Sequence, residues 1–108
     1  MTLQNQTAAQ RLWADVFGRR PWDAPGLDRD KVLAIIDNLP DDHERVVVRL
    51  HYGFEGSPMG LKEIGKTLPR SDGGLGVSRQ RAQSILRRGL LHLKHSSRRR
   101  AWDEARVE

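Results

Sequence analysis

The chain has 108 residues, room for one domain-sized core but not for a second. Lys and Arg number 19 against 14 Asp and Glu, and the net charge of +5 favours an anionic partner such as nucleic acid. The absence of cysteine excludes disulfides and cysteine-ligated zinc, and no window approaches the ~20 apolar residues that a membrane span needs.

Met1 to Gln6 lack the basic start and apolar run of a signal peptide, so a cytoplasmic protein is expected. Thr7 caps a first predicted helix, in which Leu12, Trp13, Val16 and Phe17 recur at helical spacing and Gly18 is the stop. Two prolines and a glycine make 19–26 a linker. A second helix starts at Asp28, with Leu27 and Val32 placed as a hydrophobic staple. Its stripe is Val32, Ile35, Ile36 and Leu39, and Pro40 ends it. Asp41 and Glu44 form a capping-box-like pair for a third helix with the stripe Val46, Val47, Leu50 and Phe54, stopped at Gly53. Leu61, Ile64 and Leu68 define a short fourth helix, broken by Pro69 and the run Ser71-Asp72-Gly73-Gly74. Ser78 caps the fifth helix, which turns Ala82, Ile85, Leu86, Gly89, Leu90 and Leu93 one way and Gln80, Gln83, Ser84 and Arg87 the other. Arg79, Arg81 and Arg88 flank that polar face. The charge run Arg98-Arg99-Arg100 leads into a short tail that contains Trp102.

The expected fold class is therefore all-α, a small helical bundle that ends in a helix-turn-helix with an enlarged turn. An α-helix fits the major groove of DNA, where base edges call for donors and acceptors on short side chains and phosphates call for cations. Gln, Ser and Arg at helical spacing supply the first, flanking Arg and Lys the second. Pattern alone leaves a second reading open, since a polar basic face is often only solvated.

The residues Leu39-Pro40-Asp41-Asp42-His43-Glu44-Arg45-Val46-Val47-Val48-Arg49-Leu50-His51-Tyr52-Gly53-Phe54 resemble region 4.1 of the sigma-70 family of bacterial transcription initiation factors, with one extra residue near Asp41-Asp42. Leu61-Lys62-Glu63-Ile64-Gly65-Lys66 resembles the first helix of region 4.2, and Val77-Ser78-Arg79-Gln80-Arg81-Ala82-Gln83-Ser84-Ile85 the start of its recognition helix. Leu90 to Arg98 resembles that helix's close. The likeness runs from about Leu27 to Arg98. It divides the chain into an N-terminal helix and linker (1–26), a region 4-like domain (27–100) and a C-terminal tail (101–108).

The resemblance implies sequence-specific binding to the upstream (−35) promoter element of double-stranded DNA and docking on the β-subunit flap of RNA polymerase, without enzymatic activity, metal or cofactor. Base contacts are expected from Arg79, Gln80, Gln83, Ser84 and Arg87. Phosphate contacts are expected from Ser78, Arg81, Arg88, Lys94 and Arg98. The family usually has Glu, Arg and Gln where Gln80, Gln83 and Ser84 stand, which predicts a changed sequence preference because these side chains favour different bases. The segment 69–76 is longer than the roughly 3–4 residues of an ordinary turn. It reads as a tolerated flexible insertion; the alternative is that Arg70 at its base contacts phosphate. No promoter-melting region is present. Two other readings stay open: a freestanding helix-turn-helix regulator, and a protein-interaction module that reads no DNA. The aromatic stripe Trp13 and Phe17 either packs on the core or docks a regulatory protein.

Gly60-Leu61-Lys62-Glu63-Ile64-Gly65-Lys66-Thr67 matches the phosphate-loop pattern, but its middle is helical in period and no strand precedes it, so it is read as a chance match. His92 and His95 lack further metal ligands.

Overall fold

Each of the four longer helices begins at a polar cap placed where its side chain can accept an orphan backbone N–H. In the computed structural model, which describes residues 6–107, α1 spans Ala8–Phe17, α2 Arg29–Asp37, α3 Asp42–Tyr52, α4 Leu61–Thr67, α5 Arg79–Lys94 and α6 Arg99–Glu104. Met1–Asn5, part of the stretch read for a leader, and Glu108 lie outside the described residues. Thr7 and Gln10 form a reciprocal capping box on α1. Asp28, Asp41 and Ser78 accept from backbone N–H groups of α2, α3 and α5. Gly18 and Gly53 close α1 and α3 at φ 65° and 84°, the left-handed geometry that a side chain disfavours. The molecule is all-α apart from a two-residue antiparallel pair, β1 (Gly26–Leu27) with β2 (Arg106–Val107).

One core joins all six helices. Leu12 and Val16 of α1, Ile36 of α2, Val47 and Val48 of α3, Ile64 of α4, Ile85 and Leu93 of α5 and Trp102 of α6 belong to the same buried cluster. No helix among the described residues is long and apolar enough to cross a membrane.

Three expectations differ from what the structure holds. Within the segments set apart as 1–26 and 101–108, Ala9, Leu12, Val16, Trp102 and Ala105 join the shared core. Trp102 is buried, its indole N–H donates to the Leu93 carbonyl at 3.0 Å, and Phe17 meets its ring edge-on at 5.6 Å. The stripe of α3 is rotated, so that Val47, Val48 and Tyr52 are buried while Val46 and Leu50 are only partly covered. Glu44 does not reach back to cap α3; its carboxylate lies under α5.

Candidate nucleic-acid interface

α5 is held by a buried face of Ala82, Ile85, Leu86, Gly89 and Leu93. Gly89 lets α3 come close, since a Cβ there would lie 3.3 Å from Val48 Cγ2. Gly65 does the same for α4: a Cβ there would stand 2.6 Å from the Val77 carbonyl oxygen, and the Val77 N–H donates to the Gly65 carbonyl at 2.8 Å. The start of α5 is thus seated directly on α4.

The outer face carries Arg79, Gln80, Arg81, Gln83, Ser84 and Arg87, all exposed. Arg79, Gln83 and Arg87 follow one another at intervals of four, one row along the helix, and Gln80 and Ser84 form the adjoining row. The helix contains no acidic residue. Among the described residues, Arg79, Arg81, Arg87 and Lys94 have no carboxylate within ion-pair distance, whereas eight of the other fifteen Lys and Arg do. Ser78 is exposed, and its hydroxyl oxygen accepts from the Arg81 N–H at 3.0 Å. Leu91, which sequence reasoning left out, is 66% exposed one turn beyond Arg87.

Two residues expected on phosphate also make contacts within the protein. Arg88 Nε is 3.0 Å from Glu44 Oε2, and its Nη2 lies 3.8 Å from Asp41 Oδ2. Glu44 is 1% exposed, and its other oxygen meets His92 Nδ1 at 2.7 Å. A carboxylate so buried needs these partners to offset its desolvation. Partial burial pushes the Asp41 carboxyl up, but N–H donation from His43 and Glu44 and the charges of His43 and Arg88 hold it below the usual range. Arg98 is the second. Its guanidinium donates to the His92 and Asn38 carbonyls at 3.0 and 3.4 Å, tying the end of α5 to α2.

The segment between α4 and α5 is internally braced rather than loose. Pro69 and Leu75 form an antiparallel bridge, and Arg70 and Gly74 are joined by a backbone hydrogen bond of 2.8 Å. The Arg70 side chain is held by Asp72 and by the Leu75 and Gly76 carbonyls. N–H donation from Gly74, together with Arg70, holds the Asp72 carboxyl below its ordinary range.

Gly60 is the N-cap of α4, and 61–67 are helical, so this stretch forms no phosphate-cradling loop. Lys66 reaches Glu63 at 3.5 Å. His92 and His95 do not converge: the first faces Glu44, the second Ser97.

No known family, curated protein or solved structure matches this chain.

Proposed function

We propose that the chain is a DNA-binding module of transcription initiation, in which α4 and α5 act as a helix-turn-helix with an enlarged, braced turn and α5 lies in the major groove. The observation that carries this reading is the outer face of α5. Amide, hydroxyl and guanidinium groups stand exposed in adjoining rows on a helix without acidic residues, and its inner face is locked to α3 and α4. Arg79, Gln80, Gln83, Ser84 and Arg87 reach base edges, while Ser78, Arg81 and Lys94 contact phosphates. Arg88 and Arg98 act from behind as supports of α5. The likeness to sigma region 4 further suggests an upstream promoter element as the target and the polymerase β flap as a docking partner.

Selection of bound fragments from a random DNA pool, with and without polymerase, tests this directly. A defined motif is expected, with affinity that falls steeply as salt rises. Gln83→Ala should weaken binding to that motif by roughly 1–3 kcal/mol and leave scrambled DNA untouched. If no fragment is enriched, or if affinity is indifferent to salt, the reading fails and an interaction module that reads no DNA takes its place.

A further inference from the structure

The sequence has fifteen arginines. Seven lie within ion-pair distance of a carboxylate, and Arg11 and Arg98 donate to backbone carbonyls. Among the described residues six remain uncommitted, and they fall into two groups. Arg79, Arg81 and Arg87 stand on α5. Arg19, Arg99 and Arg106 line a hollow of about 180 Å³ where the chain after α1 meets α6 and β2.

The floor of this hollow is aromatic. Trp13, Phe17 and Trp102 line it, with Asp103 the one carboxylate at the rim among the described residues. Among the described residues, three arginines against one aspartate leave the rim with a net charge of +2. Folding brings these like charges together from three separate elements without neutralising them, which favours an anionic occupant. The rings decide which kind. Trp13 and Phe17 are inclined at 50°, and Phe17 and Trp102 at 81°. Trp102 is buried, and its indole N–H is already bonded to Leu93. Such mutually tilted rings offer no flat platform for a nucleobase. They leave a pocket for one apolar side chain, since ~150 Å³ holds a benzene-sized group.

We propose that this hollow docks an acidic segment of a partner protein, which inserts one apolar side chain against Trp13 and Phe17 while its carboxylates bond Arg19, Arg99 and Arg106. Bidentate guanidinium–carboxylate pairing provides orientation, and the aromatic floor provides the anchor. The site is separate from the outer face of α5 and does not depend on the DNA reading.

The test is selection of short random peptides on the intact chain after depletion on the R99Q/R106Q variant. The enriched peptides are expected to carry Asp or Glu on both sides of a Leu, Phe or Trp. They should shift the Trp13 indole N–H resonance more than that of Trp22, which does not line the hollow. Their affinity for R99Q/R106Q should fall at least about tenfold. Both arginines are exposed, so the variant should melt with the parent; R19Q provides the same comparison through a different element. The Gln83→Ala variant should bind these peptides as the parent does, which separates this site from α5. Recovery of no peptides, of peptides without acidic residues, or of peptides that bind R99Q/R106Q equally well would overturn the proposal. Loss of DNA affinity in R99Q/R106Q would also overturn it, assigning these arginines to nucleic acid.

Discussion

Tyr52 is the only tyrosine in the chain. Its hydroxyl donates to Asp15 Oδ2 at 2.6 Å, joining α3 to α1. Burial above all, then the hydrogen bond and charge of Asp15, push the phenol well above its ordinary value. A group raised in the folded state contributes stability that is complete below its unfolded value, about 10 for tyrosine, and is lost as pH climbs beyond it. Phenolate absorbance should therefore be absent where a free tyrosine ionises and should emerge only together with unfolding. Phenolate forming at the ordinary pH in an intact fold would contradict the assignment. Tyr52→Phe should cost about 1 kcal/mol at neutral pH, because Asp15 is exposed and regains water. Denaturant titration measures that difference.

At the scale of elements, the tightest constraint is the seat of α5 on α4. Alanine is intrinsically better than glycine within a helix by about 1 kcal/mol, but forcing a methyl group into a filled contact costs about 1–3 kcal/mol. Gly65→Ala places that methyl against the Val77 carbonyl, so the clash should win and the urea midpoint should fall. A raised midpoint would mean that α4 can slide away at no cost. Much of this level was legible in the sequence, because the signals are local. Thr7, Asp28, Asp41 and Ser78 cap the helices that their positions predicted, and Gly18 and Gly53 end theirs. The exposed rows of α5 followed from period alone. What stayed hidden depends on distant partners. Glu44 looked like a cap because nothing near it announces Arg88 and His92, which meet it across 44 and 48 residues. Two-residue strands are too short to show a pattern, so β1 and β2 passed as linker and tail. The brace of 69–76 relies on backbone carbonyls, which no side-chain pattern encodes.

For the whole molecule, the shared core predicts cooperative behaviour. α1 and α6 contribute to the cluster that holds α5, and Trp102 lies between them. Trp102→Ala should cost about 3–5 kcal/mol, a large part of the stability of a domain this size. Tryptophan fluorescence and far-ultraviolet dichroism should report the same transition in the parent. Two separate transitions would mean that the ends of the chain melt on their own. The pairing of Arg88 with Glu44 and Asp41 has a consequence at this scale too. A guanidinium already matched to protein carboxylates displaces few ions from a duplex. In the proposed complex, Arg81 and Lys94 then set the count of counterions released, and the logarithm of affinity should decline against that of salt concentration with a slope of roughly −2. Severing Arg88 from its anchor by Glu44→Gln should steepen that slope by about one further unit, so that in the proposed complex a buried acid beneath the helix would meter the grip on the polyanion.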